Sequence, residues 1–221
     1  MAALSLIILS FGVVAIQGAE LSGTVQIAGS TSVQPLSDEL QKAFNEKLPK
    51  VKIFIQGGGS SAGIKAALTG TSDIGASSRE LKDTEQGLHE TVIARDGIAI
   101  VTHPSNTVKD LTVDQIRDIF AGKITNWKEV GGMNTQIEVV NREAGSGTRG
   151  AFEEIVMGKE TMTNKCMIQA SNGAVRSTVA ITKEAIAYIS FGYIDTTVKT
   201  VKVNGVEAKE ENVNNKSYKL V

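Results

Sequence analysis

The 221-residue chain is poor in several residues that carry much of protein chemistry. It has one cysteine, Cys166, and two histidines, His89 and His103. With no CxxC pair and no histidine cluster, a disulfide framework and a zinc site of cysteine and histidine are both excluded. No metal and no cofactor is expected. Only three prolines and no low-complexity stretch occur, so a flexible linker between separate domains is not expected. Aromatic residues make up 5%, which argues against stacking on bases or sugars. Neither sign of charge is in excess, since 23 Lys and Arg face 24 Asp and Glu for a net charge of -1. Bulk attraction to nucleic acid is therefore excluded, and any bound anion must be held locally.

One long apolar run is present, from Ala2 to Ile16, ending in the small-residue stretch Gln17-Gly18-Ala19. It is shorter than the roughly 20 residues of a comfortable membrane span. Polar, strand-forming sequence follows at once, so residues 1–19 read as a signal peptide. The chain is then expected to be exported, to the periplasm or the outside of the cell, with membrane association left open. No cysteine follows the run to carry a lipid.

From Thr24 onward short apolar runs alternate with helical stretches, the pattern of α/β architecture. A strand at 25–28 leads into Gly29-Ser30-Thr31-Ser32 and a helix over 33–48, with Leu36, Leu40, Phe44 and Leu48 on one face. A strand at 51–55 leads into Gly57 to Gly63 and a helix over 64–68. Asp73 to Ser78 reads as a brief strand ending in two serines, and 98–102 as a fully apolar strand. Residues 113–120 form a short amphipathic helix after the polar connection 106–110. A strand at 137–140 leads into Asn141 to Thr148 and a helix over 149–157, and a last strand is expected at 187–190. Arg79 to Glu90 reads as a solvated helix face, Trp127 as lobe packing, and the tail after Val198 as lacking a closing helix.

Three times, then, an apolar strand runs through Gly, Ser and Thr directly into a helix. Helix N-termini expose N–H groups without intrahelical acceptors, the helix dipole adds partial positive charge there, and hydroxyls supply neutral donors. A dehydrated oxyanion needs many such donors at once, because leaving its oxygens unpaired costs several kcal/mol. Arg142, four residues before Ser146, adds a planar fork suited to two oxyanion oxygens. Singly, each loop is more often a plain helix cap, and only the three together favour an anion site.

Two other motifs compete. Gly145 to Gly150 satisfies GxGxxG and Gly57 to Ala62 satisfies GxGxxA, but the first lies mid-chain and the second carries serines a dinucleotide site does not need. Gly59 to Gly63 satisfies the GxSxG nucleophile elbow, making Ser61 a candidate hydrolase nucleophile with His89 or His103 as base. That motif leaves the other two loops unexplained.

Leu111 to Gly132, reading LTVDQIRDIFAGKITNWKEVGG, resembles the signature segment of the phosphate-binding proteins of ABC transporters, the PstS type. AGSTSVQPL from Ala28, QGGGSSAGIKAAL from Gln56, REAGSGTRGAF from Arg142 and AIAYISFGYID from Ala185 follow in the family's order, so the likeness spans nearly all of 24–221. The resemblance implies a two-lobed α/β fold of the type II periplasmic binding proteins, with residues 24–99 and 187–221 in one lobe and 100–186 in the other. Hinge strands are expected near Ala99 to Val101 and Ile186 to Ile189. It implies phosphate contacts from Thr31, Ser32, Ser60, Ser78, Arg142, Ser146, Gly147 and Thr148, no catalysis, a monomer, and a membrane permease as partner.

Ser78 stands where well-known members place an aspartate that accepts the phosphate proton, and Ala144 where they often carry an acid. Ser-Tyr-Lys-Leu-Val at the end resembles a point where the family continues, so a truncated C-terminus is expected. The alternatives left open are sulfate or another tetrahedral oxyanion as ligand, a stand-alone sensor or scavenger, and a serine hydrolase using Ser61.

Overall fold

The computed structural model describes residues 21–221, so the expected signal peptide lies outside the described residues. Strands β1 (Gly23–Gly29), β2 (Val51–Gly57) and β3 (Ile74–Ala76) form a parallel sheet of order β2-β1-β3. Parallel neighbours need a crossover, supplied by helices α1 (Gln34–Lys47) and α2 (Ser60–Leu68). The second sheet has six strands: β4 (Ile98–Thr102), β5 (Asp110–Leu111), β6 (Glu138–Arg142), β7 (Met167–Gln169), β8 (Ala185–Ser190) and β9 (Lys199–Val203), in the order β5-β9-β4-β8-β6-β7. Helices α3 (Val113–Phe120), α4 (Gly147–Phe152), α5 (Asn172–Ile181) and α6 (Glu210–Asn214) belong to the second part of the chain, with short 3-10 turns at Trp127–Val130 and Phe191–Tyr193 and a π turn at Glu153–Met157.

β4 and β8 are buried along their whole length, which is why Ile98 to Thr102 reads as a continuous apolar run rather than an alternating one. On one face of this sheet, Val175 and Val179 of α5 pack against Ala99, Val101, Ala187 and Ile189. On the other, Ile116, Ile119 and Phe120 of α3 meet Phe152, Trp127 and Tyr188. Tyr188 stacks on Phe152 with ring centroids 4.1 Å apart and planes 8° apart. Trp127 packs in this lobe as expected, 2% exposed, its indole N–H donating to the Glu184 carbonyl at 2.9 Å. The start of α3 is fixed by a capping box between Thr112 and Gln115.

Several expectations are corrected. The sheets do not follow the division of 24–99 with 187–221 against 100–186, because β8 and β9 pair with β4 in the six-stranded sheet. The two strands expected as a hinge lie side by side in that sheet, with Ala99 opposite Ile189 and Val101 opposite Ala187. Between β3 and β4 the chain passes from the first sheet to the second through 77–97, which holds no helix, so Arg79 to Glu90 is coil. The tail contains β9 and the short helix α6. Leu36, Leu40 and Phe44, the stripe expected on the first helix, stay 37%, 51% and 41% exposed. The core clusters belong to the second lobe, while in the first Ile64 is the buried apolar side chain.

Candidate functional site

Polar segments that follow β1, β2 and β3 meet at one place. β1 leads into Ser30, Thr31 and Ser32 before α1; β2 leads through Gly58 and Gly59 into Ser60 at the start of α2; β3 ends just before Ser77 and Ser78. Ser30 Oγ donates to Ser78 Oγ at 2.9 Å, Ser78 N–H donates to Ser60 Oγ at 3.1 Å, and the Ser60 and Ser78 hydroxyls lie 3.3 Å apart. A cluster of neutral hydroxyls therefore lines the first lobe's side.

From the second lobe comes the loop between β6 and α4. Ser146 caps α4 by accepting from Arg149 N–H at 3.1 Å, and the first N–H groups of the helix, at Gly147 and Thr148, have no intrahelical carbonyls to bond. The two lobes touch directly. Ser32 Oγ and Thr148 Oγ1 are 2.6 Å apart, and Ser61 N–H donates to the Gly145 carbonyl at 3.1 Å. Glycine is required at two of these crossings. A Cβ on Gly147 would sit 2.3 Å from Ser60 Oγ and 2.5 Å from Ser78 Oγ, and one on Gly59, whose φ is +84°, would sit 2.9 Å from Glu143 Oε1.

Arg142 ends β6 and is 1% exposed. Its backbone N–H donates to Asn141 Oδ1 at 2.7 Å, and Tyr188 OH holds the same oxygen at 2.6 Å. Burial pushes the Tyr188 phenol well above its usual range, so it stays protonated as this donor. The guanidinium uses Nε and Nη2 on the two carboxylate oxygens of Glu143, each at 2.9 Å. Nη1 is buried with no hydrogen-bond partner. A buried charged donor left unpaired is costly, and here it belongs to the arginine beside the loop in which the two lobes meet. Glu143 supplies the acid that Ala144 does not, so the arginine's charge is balanced on one edge and free on the other.

All eight predicted residues lie in or beside the segments that follow β1, β2, β3 and β6. Ser60, Thr31, Ser146, Thr148, Arg142 and Gly147 are buried, and Ser32 and Ser78 are partly so. The sequence reading missed Asn172. It opens α5 after β7 and Ser171, with Gly173 following, a fourth strand-to-helix loop of the same kind. Arg79, next to the serine loop, donates to both oxygens of Glu85 at 2.7 and 2.8 Å and to Ser61 Oγ at 3.1 Å. Arg79 thereby holds the Glu85 carboxyl down to about 2. The elbow serine is thus held by an arginine. His103 instead pairs with Ser105 at 2.7 Å, and His89 is exposed.

A family model described as a PBP superfamily domain matches residues 15–221. The phosphate-binding protein PstS of Bacillus subtilis is 34% identical over 206 residues, covering 90% of this chain and 68% of that protein. The chain belongs to the PstS family of the PBP superfamily. The PstS of Borreliella burgdorferi is 31% identical, with 89% and 75% covered. Among solved structures, a phosphate ABC transporter substrate-binding protein from Clostridium perfringens, with bound phosphate, is 53% identical with a TM-score of 0.86, covering 90% of this chain and 83% of that one. An ABC-type phosphate transport receptor from Vibrio cholerae is 36% identical with a TM-score of 0.68, covering 89% and 83%. The two-lobed α/β fold is the fold of this family.

Proposed function

We propose that the two lobes close on inorganic phosphate outside the cytoplasm and deliver it to the membrane permease of an ABC transporter, the chain acting as a monomer and without catalysis. The observation that carries this is the unpartnered Nη1 of Arg142, 1% exposed, beside converging hydroxyls and a helix start. Such a set has donors in excess of acceptors, and a small oxyanion is the ligand that completes it. Thr31, Ser32, Ser60, Ser78, Arg142, Ser146, Gly147 and Thr148 are the proposed contacts. Names of relatives in phosphate transport support the same ligand. Among the described residues no helix is long and apolar enough to cross a membrane, and export rests on the N-terminal sequence.

Sulfate is the second reading, favoured by Ser78. Phosphate at neutral pH carries a proton that needs an acceptor, whereas sulfate carries none. Ser78 Oγ already accepts from Ser30, so it offers one remaining lone pair where a carboxylate offers several. Calorimetric titration with each anion across pH separates the readings. Tighter binding of phosphate supports the proposal, equal affinity makes the chain a general oxyanion binder, and binding of neither overturns it.

A further inference from the structure

We infer that Asn172 is a positioning residue that clasps the first loop to the second lobe and fixes the Thr31 hydroxyl as a donor to the bound anion. The inference rests on the oxyanion reading above. Asn172 has no exposed surface, and its side chain is spent on both lobes. Oδ1 accepts from Ser190 N–H at 3.0 Å, which anchors the amide to the end of β8. Nδ2 then points across the cleft, donating to Thr31 Oγ1 at 3.2 Å and to Ser32 Oγ at 3.0 Å. The backbone N–H of Asn172 donates to the same Thr31 Oγ1 at 3.3 Å. Tyr193 OH adds a bond to the Thr31 carbonyl at 2.8 Å.

A hydroxyl has two lone pairs and one proton. Both lone pairs of Thr31 Oγ1 face Asn172 donors, so its proton is directed away from them. The contact Thr31 can make with a ligand is then donation, which suits a fully ionised oxygen. The amide's orientation is not free to invert, because its oxygen is held by the Ser190 N–H. Asn172 thereby sets the polarity of the Thr31 hydroxyl through its backbone and side-chain N–H groups and joins the Ser32–Thr148, Ser61–Gly145 and Tyr193–Thr31 contacts in holding the lobes together.

The test is phosphate and sulfate titration of Asn172→Ala, alone and combined with Thr31→Val or with Arg142→Ala. Alone, the substitution should weaken phosphate at least about tenfold, the scale of losing buried hydrogen bonds. In the Thr31→Val background most of that loss should vanish, whereas in the Arg142→Ala background it should persist in full. Equal losses in both backgrounds, or no loss, overturn the inference. Thermal unfolding without anion identifies variants that have not folded. A spin-label pair at Lys42 and Lys123, with Cys166→Ser, gives a readout that needs no anion: Asn172→Ala should shift the interlobe distance toward longer values, and an unchanged distance counts against the clasp. If the unaltered chain binds neither anion, the oxyanion reading falls and the distance shift alone decides the clasp.

Discussion

Removing Arg142 should do more than delete one contact. The guanidinium is 1% exposed, with Nε and Nη2 committed to Glu143 and Nη1 unpartnered. In Arg142→Ala the anion loses a charge-assisted hydrogen bond, about 2 kcal/mol. The variant also strands the Glu143 carboxylate beside an incoming anion. At roughly 6 Å and an effective dielectric of about 20, two unit charges repel by about 3 kcal/mol. The Glu143 side chain is 28% exposed, and screening reduces this to about 1–2 kcal/mol. Arg142→Ala should therefore weaken phosphate by about 3–4 kcal/mol, a factor of several hundred. Arg142→Ala with Glu143→Gln removes the repulsion and should recover all but about 2 kcal/mol, so the double variant binds roughly tenfold more tightly than the single one. Calorimetry on the three proteins measures this. A double variant no better than Arg142→Ala would refute the electrostatic part, and an Arg142→Ala loss under about threefold would refute the contact itself.

Gly147→Ala should abolish tight phosphate binding in calorimetric titration, since its Cβ would lie 2.3 Å from Ser60 Oγ and 2.5 Å from Ser78 Oγ and would hold the two lobes apart. Ser78→Asp should restore a strong proton acceptor and weaken sulfate at least about tenfold more than phosphate in competition titrations. The Glu85 carboxyl is held to about 2 by the Arg79 hydrogen bonds, against an ordinary value of 4.5. Its folded value is depressed, so its stabilisation is present above about pH 4.5 and is lost as pH falls toward 2; Arg79→Gln should flatten the acid limb of the stability curve in that window. Trp127→Phe should cost about 1 kcal/mol in denaturant unfolding, because the part-buried Glu184 carbonyl loses the indole donor and keeps only the Glu138 N–H.

The strand-to-helix units were legible because local chemistry dictates them. The apolar stretch at β4 and the helix α3 fall where the sequence places them, at Ile98–Thr102 and Val113–Phe120. Elsewhere the boundaries shift by a few residues. The second helix starts at Ser60 rather than residue 64, because Gly59 adopts positive φ and the serine enters the first turn. β5, β7 and β9 were not legible. They are short or alternate with polar residues, and their existence depends on neighbours distant in sequence, as when Lys199 to Val201 pair with β4. The exposure of the α1 stripe was hidden for the same reason, since periodicity reports a face and not what covers it. At the site, residue types pointed to the donors, whereas the Glu143 brace and the Asn172 clasp are matters of geometry. Asn172 did carry a signal in Ser171-Asn172-Gly173, a short polar loop opening a helix after a strand.

In the proposed site the loops of both lobes and the free edge of Arg142 together hold one phosphate. A crystal structure of the chain grown with phosphate tests it most directly. One anion is expected within hydrogen-bond distance of Arg142 Nη1, of the Thr31, Ser32, Ser60 and Thr148 hydroxyls, and of the Gly147 and Thr148 amides. An anion bound elsewhere, or Nη1 turned to a protein acceptor with phosphate in the crystal, would contradict it.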